Sequence, residues 1–209
     1  MGRYLGPAVK VDRRLGASVF GKSSSPKTLS KRGFPPGQHG RTKGRRKKLT
    51  EFGLRLVEKQ KLKFLYGGLR EGQFRKYFDE ASRSKGNTGQ VLIELLERRL
   101  DNVVYRLGFA TTRRQARQLV SHGHFLVNSK AVNIPSFRVS KGDIIELKSS
   151  SRDIPQILSS LERISHKSIP GWLELDKENF RGRVLDVPRD IQLEVSINLQ
   201  YIIEFYSRV

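Results

Sequence analysis

The chain has 209 residues, with 41 Lys and Arg against 20 Asp and Glu, and a formal net charge of +21. Such a charge attracts polyanions, so nucleic acid is the expected partner. No apolar run approaches the roughly 20 residues that a membrane-spanning helix needs, and we expect a soluble cytoplasmic protein with no membrane partner. The absence of cysteine excludes disulfides, thiol catalysis and cysteine zinc sites, and four scattered histidines predict neither a metal nor a cofactor.

The charge is concentrated in the first quarter of the chain. Residues 1–50 hold 14 Lys and Arg and one acid, Asp12, among many Gly, Pro and Ser residues. This composition cannot bury enough apolar surface to fold alone, so residues 1–49 are predicted to form an extended basic arm that orders on its partner. Residues 149–209 hold eight bases and nine acids, which suits a protein neighbour better than a phosphate backbone.

Helical periodicity begins at Thr50. The first helix, which ends at Gly67, is predicted to carry its bases on the solvent side, namely Arg55, Lys59, Lys61 and Lys63. The next helix places four residues on one buried stripe: Phe74, Tyr77, Phe78 and Ala81. A third, uninterrupted helix up to Gly108 is predicted from one apolar face that contains Leu92, Leu96, Leu100, Val103 and Leu107.

A short helix with a basic side follows. Thr112 and Gln115 form a capping-box signature at its start. One side of this helix is apolar and is predicted to face inward through Ala116, Leu119 and Val120. The other side is predicted to point outward as the main RNA-facing surface, with Arg113, Arg114 and Arg117.

Strands follow the basic helix. Segments 124–128 and 130–132 predict a hairpin whose turn is Asn128-Ser129, and 144–147 predicts a further strand. Two short helices followed by short strands indicate a compact α+β module. Beyond it, 154–165 reads as a helix and Trp172 as the anchor of a small cluster. The last apolar segment, 195–205, is compatible with helix or strand.

Several motifs carry a resemblance to a known family. Arg99-Leu100-Asp101-Asn102-Val103-Val104-Tyr105-Arg106-Leu107-Gly108, Thr112-Arg113, Ala116-Arg117-Gln118-Leu119-Val120-Ser121-His122 and Val127-Asn128 resemble the α-L RNA-binding module. Further motifs lie outside it: Gly2-Arg3-Tyr4-Leu5-Gly6-Pro7, Pro35-Pro36-Gly37-Gln38-His39-Gly40, Glu58-Lys59-Gln60-Lys61, Lys85-Gly86-Asn87-Thr88-Gly89 and Glu204-Phe205-Tyr206-Ser207. Together they resemble the bacterial form of the small ribosomal subunit protein four family over essentially the whole chain.

The resemblance implies an α+β fold, in which a mostly helical domain carries an inserted small α/β RNA-binding module, plus an extended basic N-terminal arm. The expected division is 1–49 for the arm, 50–97 with 159–209 for the helical domain, and 98–158 for the α-L module. Some family members hold zinc through cysteines near the N-terminus. Val9 and Asp12 stand where the first two would be, so the resemblance implies no zinc here.

The resemblance also implies partners. The RNA partners are the 5′ domain of small-subunit (16S) ribosomal RNA, which family members bind early in assembly, and mRNA at the entrance channel. The protein partners are ribosomal protein five, at an interface that affects decoding accuracy, and other small-subunit proteins. The predicted rRNA contacts are Arg3, Tyr4, Arg13, Arg14, Lys22, Arg32, His39, Lys59, Lys61, Lys63, Arg70, Arg75, Lys85, Asn87, Arg99, Arg113, Arg114, Arg117, Ser121, His122 and Asn128. The predicted mRNA-entrance residues are Arg41, Lys43, Arg45, Arg46, Lys47 and Lys48.

Two other function classes compete with a ribosomal protein. Arg-Leu-Asp at 99–101 also occurs at the catalytic aspartate of pseudouridine synthases, but Asp101 lies inside a predicted helix and no separate catalytic domain fits in the rest of the chain. A free RNA-binding translational regulator would need the α-L module and not the N-terminal motifs. His122 and His124 have no nucleophile or carboxylate at recognisable spacing, so they are interpreted as surface residues at a helix end, and no catalytic residue is predicted.

Overall fold

The computed structural model of the protein describes residues 4–21, 24–42, 49–166, 169–189 and 191–207. The chain divides into two compact units, unit 1 from residues 1–89 with 192–209 and unit 2 from residues 90–191. Unit 2 is thus inserted into unit 1 along the chain. Among the residues described, no helix is both long and apolar enough to cross a bilayer.

Unit 1 is helical, and α6 begins at its boundary with unit 2. The helices of the first 97 residues are α1 (Ala8–Leu15), α2 (Ser24–Lys31), α3 (His39–Thr42), α4 (Glu51–Leu65), α5 (Glu71–Arg83) and α6 (Thr88–Glu97). The remaining α-helices and strands are α7 (Leu100–Arg106), α8 (Arg113–Ser121), β1 (Phe125–Val127), β2 (Lys130–Ala131), β3 (Ile144–Leu147), α9 (Pro155–Glu162), β4 (Leu173–Asp176), β5 (Arg181–Val184) and α10 (Leu199–Ser207). The predicted α+β class is confirmed.

The N-terminal segment is not an extended arm in its described part, and that prediction is corrected. α1 buries one apolar side, and the ring of Phe64 on α4 joins the same cluster. Tyr4 packs its ring against Phe20 and Phe64, with centroids 5.9 and 5.3 Å away. The segment folds because α4 supplies the apolar surface that its own composition lacks. The buried members are Ala8, Val11, Leu15, Val19, Phe20 and Phe64.

The rest of unit 1 is built around α4. The hydroxyl of Thr50 accepts a hydrogen bond from the Gly53 amide and caps the helix. α10 packs along α4, which settles the final apolar segment as a helix. The predicted stripe on α5 is confirmed, because all four of its residues are buried: Phe74, Tyr77, Phe78 and Ala81.

The long helix predicted up to Gly108 is broken at Arg98 and Arg99, between α6 and α7. The break has a physical cause, since the backbone there pairs with a distant loop. The Leu100 amide donates to the Phe137 carbonyl at 2.8 Å, and the Val139 amide donates to the Arg98 carbonyl at 2.9 Å. The leucine periodicity continues across the break, so apolar spacing alone could not reveal it.

Unit 2 contains a five-stranded antiparallel sheet in the order β2-β1-β3-β5-β4. The strands β4 and β5 were not predicted, although Leu173-Glu174-Leu175-Asp176 alternates as a half-buried strand should. β5 pairs with β3 and β4 pairs with β5, so the strands β4 and β5 belong to the same unit as the α-L module. The structure therefore draws the domain boundaries differently from the predicted 98–158.

The predicted hairpin between β1 and β2 is present. Val127 pairs with Lys130, and the two turn residues, Asn128 and Ser129, have φ angles of 49° and 64°. Two positive φ values at a two-residue loop are typical of a type I′ turn. Asn128 is fixed further, since its side chain donates to Asp143 Oδ1 and accepts from the Ile144 amide.

Candidate nucleic-acid interface

The exposed faces of α1 and α2 in unit 1 carry only positive charge. Asp12, the single acid of the first 50 residues, is fully buried, and its Oδ1 accepts a hydrogen bond from the Val19 amide at 3.1 Å. The bases on α1 and α2 are spaced i, i+4, which places each pair on one side of its helix. The exposed bases are Lys10, Arg14, Lys27, Lys31 and Arg32.

Arg14 and Arg32 were predicted RNA contacts, whereas Lys10, Lys27 and Lys31 were not predicted. The i, i+4 spacing was a usable signal, but the segment was expected to be extended, where this spacing has no meaning. The other predicted residues of the segment differ in role. His39 is exposed, whereas Arg3, Lys22, Lys43, Arg45, Arg46, Lys47 and Lys48, and the side chain of Arg41, lie outside the described residues.

Arg13 holds the segment together internally. Its Nη2 donates to the backbone carbonyls of Phe34 and Pro35 at 3.1 and 3.3 Å. The guanidinium also lies 5.0 Å from the centre of the Phe34 ring, a cation–π distance. Arg13 therefore fastens the Pro-rich loop to α1, and its half-buried side chain contributes structure where an RNA contact was predicted.

The lysines of α4 were predicted to face solvent, and the structure corrects this. Lys59 is buried, with its Nζ 2.7 Å from Glu71 Oε1 and 4.1 Å from the centre of the Phe205 ring. Lys63 binds the other oxygen of Glu71 at 3.1 Å, and Lys61 binds Glu58 at 2.6 Å. Lys59 and Lys63 fasten α5 and α10 to α4, because Glu71 lies on α5 and Phe205 on α10, whereas the ion pair of Lys61 lies within α4.

Glu71 is the centre of this contact network. Burial would raise the pKa of Glu71, but hydrogen bonds from Lys59, Tyr206 and Lys63 outweigh it and lower the pKa to about 2. The Tyr206 phenol donates to Glu71 Oε1 at 2.7 Å. Burial and this hydrogen bond raise the pKa of Tyr206. On the other side of α10, Arg55 Nε binds Glu204 at 2.7 Å.

The remaining predicted contacts of unit 1 are accessible. Arg70, Arg75 and Lys85 are exposed on and beside α5. Asn87 is also exposed, and its Oδ1 accepts a hydrogen bond from the Gly89 amide at 2.9 Å at the start of α6. These side chains can meet a phosphate without breaking an internal ion pair.

Arg99 in unit 2 was predicted to bind RNA, but its side chain is 1% exposed. Its Nε and Nη2 donate to the two carboxylate oxygens of Asp101 at 3.0 and 2.7 Å. A buried bidentate pair of this kind fixes both side chains. Asp101 is therefore a structural acid, and this geometry removes the basis of the resemblance to a catalytic aspartate.

The prediction that Arg113, Arg114 and Arg117 point outward together is wrong for two of the three. Arg113 and Arg117 are only 8% and 6% exposed, whereas Arg114 is half-exposed. Arg113 and Arg117 stand at i and i+4, and Val120 at i+7 continues the same stripe into the core. The stripe of this helix is thus wider than its apolar residues suggested.

Arg113 belongs to a buried chain of hydrogen bonds. Its Nε donates to Asn102 Oδ1 at 2.8 Å, and its guanidinium lies 4.5 Å from the centre of the Tyr105 ring. The Asn102 amide donates in turn to Glu97 Oε2 at 2.8 Å. Glu97 is fully buried and also accepts two hydrogen bonds from Arg106, at 3.0 and 2.8 Å. The Asn and Arg residues of the α-L motif therefore form internal hydrogen bonds that stabilise the module.

Three of the predicted contacts of the module lie at the ends of α8 and β1. Ser121 and His122 end α8, and Asn128 begins the hairpin turn; all three are exposed, so an RNA can reach them. Within the described part of the chain, His, Asp and Glu side chains form no group of three or more that could hold a metal ion. The geometry is that of a distributed cationic surface.

Comparison with known proteins agrees with this geometry. Residues 3–97 match the family described as "Ribosomal protein S4/S9 N-terminal domain", and residues 98–145 match the "S4 domain". The chain is 70% identical to "Small ribosomal subunit protein uS4" of Aquifex aeolicus over 211 aligned residues, with all of both chains covered. This chain belongs to the uS4 family.

Other family members are similarly related. The chain is 66% identical to the uS4 protein of Persephonella marina, over 99% of this chain and all of the relative, and 50% identical to that of Cutibacterium acnes over the full length of both. This uS4 family member is accordingly a structural protein of the small ribosomal subunit with an RNA-binding S4 domain, and it is not an enzyme.

Proposed function

We propose that this chain is a primary binder of the 5′ domain of small-subunit rRNA and that its binding nucleates assembly of the subunit. The observation that carries the proposal is the acid-free exposed face of α1 and α2, since the one acid of that region is buried. Each phosphate that a base neutralises releases condensed counterions, so affinity accumulates over many weak contacts. Folded RNA is recognised in this way largely by shape.

Binding of a 5′-domain RNA fragment to the full chain tests the proposal. Replacing Lys10, Arg14, Lys27 and Lys31 by Gln removes four exposed charges and should weaken binding. The plot of log K against log salt concentration should also become less steep, by up to roughly 0.9 in slope for each lost contact with a duplex. The matched control removes four exposed charges elsewhere, with Lys141, Arg163, Lys177 and Arg189 changed to Gln. Equal losses in the two variants would reject α1 and α2 as the specific surface.

The proposal extends to two neighbours. The bases Arg41, Lys43, Arg45, Arg46, Lys47 and Lys48 are assigned to the mRNA entrance, on the strength of their density and of family membership. Residues 149–209, with eight bases and nine acids, are assigned to the contact with ribosomal protein five that affects decoding accuracy. Near-zero charge supports a protein partner there, because a phosphate backbone favours an excess of bases.

A further inference from the structure

A second basic cluster lies in unit 2, where α8 leads into β1. His122 ends α8, and the centre of its ring lies 6.1 Å from that of His124. Lys148 follows β3, and its amide donates to the His124 carbonyl at 2.9 Å. This pairing carries the Lys148 side chain over the same turn, with Nζ 3.8 Å from the position that a Cβ would take on Gly123. Three nitrogen-bearing side chains thus converge on a three-residue turn.

Among the residues that the structure describes, no acid forms an ion pair with this cluster. The charged or titratable groups that act on His124 are His122 from the end of α8 and Lys148 from the end of β3. Lys148 is half-buried and forms no ion pair with any acid in the described ranges. Burial lowers the pKa of His124, and the charges of His122 and Lys148 lower it further. Repulsion among the three groups makes the site favourable for an anion.

The orientation of His124 suits a ligand. Its Nδ1 lies 2.9 Å from the hydroxyl of Ser151, which is buried in the 3₁₀ turn Ser149–Ser151. This contact fixes the ring, and it leaves Nε2 available to donate to a ligand once the imidazole carries a proton there. The mean planes of the two histidine rings differ by 55°, so the rings are not stacked on each other.

We propose that His122, His124 and Lys148 form a phosphate-binding site, and that a phosphodiester of the bound RNA occupies it together with uptake of a proton by His124. This inference rests on the proposed rRNA binding and adds a site and a pH dependence to it. The phosphate supplies the negative charge that the cluster lacks. Because an anion favours the imidazolium form, RNA binding and protonation are linked, and each strengthens the other.

The test measures the affinity of the full chain for a 5′-domain RNA fragment at about pH 5.5 and about pH 7.5 in constant salt, a window that brackets histidine titration. The native chain should bind about fivefold more tightly at the lower pH, as one linked proton allows up to about tenfold per pH unit. His124→Gln should remove most of that difference. Lys148→Gln should weaken binding by about fivefold at both values, since it removes one charge-assisted contact.

Lys177→Gln is the matched control, because Lys177 is exposed on the turn after β4 and outside the cluster. It should keep the affinity and pH response of the native chain. Titration of the RNA itself is common to all variants and cancels in the comparison. Fluorescence of Trp172, buried in unit 2, reports whether each variant is folded.

Different outcomes separate the two proposals. If RNA binds tightly but the pH response survives in His124→Gln and affinity is unchanged in Lys148→Gln, the site is rejected while rRNA binding stands. If RNA does not bind at all, the proposed function fails first. A further arm adds inorganic phosphate and follows the histidine ring protons by NMR. A shift with phosphate alone, and none with RNA, would reject the phosphodiester in favour of free phosphate.

Discussion

The phenol of Tyr206 donates a hydrogen bond of 2.7 Å to the carboxylate of Glu71, which joins the last turn of α10 to the first turn of α5. Lys59 and Lys63 bind the same carboxylate from α4. One acid therefore links three helices of unit 1. Its removal leaves the buried Lys59 without its ion-pair partner, which is the larger cost of such a change.

Glu71→Gln should lower the free energy of unfolding by about 1 kcal/mol at neutral pH, a modest value because the carboxylate is partly exposed. The folded pKa of Glu71 is depressed from its ordinary 4.5 to about 2, so its stabilisation is present above pH 4.5 and is lost as the pH falls toward 2. Urea unfolding followed by circular dichroism should show the native and variant curves converging over that range.

The control for this variant is Asp79→Asn, which removes an acid from the same helix that forms no ion pair within the described residues. It should leave stability nearly unchanged at neutral pH. Tyr206→Phe should reproduce part of the loss, since it removes one of the hydrogen bonds to Glu71. A constant difference between the native chain and Glu71→Gln down to pH 2 would contradict the assigned pKa.

Arg113 and Arg114 are adjacent in sequence but should respond differently to the same substitution. Arg113→Gln should cost about 2 kcal/mol of unfolding free energy, because it leaves Asn102 and the Tyr105 ring without their partner. Arg114→Gln should cost no more than about 0.5 kcal/mol, since the side chain is half-exposed. Urea unfolding followed by the fluorescence of Trp172 measures both.

The losses of RNA affinity in the two variants should follow the opposite order to their losses of stability. Where both are folded, Arg114→Gln should weaken RNA binding by about 1 kcal/mol, the loss of one charge-assisted contact. Arg113→Gln should alter affinity less, because its guanidinium is committed inside the module. A larger loss of RNA affinity for folded Arg113→Gln than for Arg114→Gln would show that the buried arginine reaches the RNA.

Ser129→Gly should stabilise unit 2 by about 0.5 kcal/mol. Ser129 holds a φ of 64°, which costs a residue with a side chain roughly 1–2 kcal/mol, and the added backbone freedom of glycine in the unfolded chain offsets part of the gain. Ser150→Gly is the control, as Ser150 is exposed and not among the positive-φ residues. Thermal melting compares the two variants: Ser129→Gly should raise the melting temperature of the protein, and Ser150→Gly should lower it slightly. A higher melting temperature for both variants would show that the turn is not the cause.

Neutralising Arg41, Lys43, Arg45, Arg46, Lys47 and Lys48 together should slow translation through stable mRNA hairpins more than through unstructured messages. A dense positive segment at an mRNA entrance would bind the phosphates of the mRNA and keep the two strands of a hairpin apart. A template with stable hairpins depends on this strand separation more than an unstructured template does. Paired in vitro translation templates that differ only in hairpin stability make the measurement. Equal slowing on both templates would reject the assignment.

Substitution of exposed residues in 149–209 should change miscoding rates while affinity for rRNA stays within about twofold, since this segment offers no excess of bases for phosphate contacts. Arg183→Gln is a suitable variant because Arg183 is exposed on β5, and glutamine does not place a second negative charge opposite Glu174 across the sheet. Reporter suppression of a near-cognate codon gives the miscoding rate. A large loss of rRNA affinity by a folded variant would reject a protein partner for this segment.

The sequence predicted local structure well where one helix or hairpin determines it. The stripe of α5, the Thr112 cap and the hairpin at Asn128 all follow from residues close together in the chain, and all are present. The exposure of charged residues was predicted less well, because their partners are distant. Lys59 lies 12 residues from Glu71, and Tyr206 lies 135 residues from it.

The candidate surface was predicted in kind but not in every residue. A basic surface was expected, and exposed bases occur in the expected segments, for example Arg14 and Arg70. The buried arginines were misassigned because a guanidinium is cationic whether it faces RNA or a buried amide. For Arg113, the partner that decides between these uses is Asn102, which lies 11 residues away along the chain and on a separate helix.

The discontinuity of unit 1 sets an order of events during synthesis. Residues 90–191 emerge from the ribosome as one continuous stretch, so unit 2 can close while α10 has not yet been made. The contacts of α4 and α5 with α10 form only after α10 is made, and until then Lys59 lacks the Phe205 ring and Glu71 lacks the Tyr206 phenol. A nascent chain interrupted before residue 199 would therefore present an incomplete helical unit beside a finished RNA-binding module. Such a truncated product could occupy RNA with one unit while the other remains accessible to proteases.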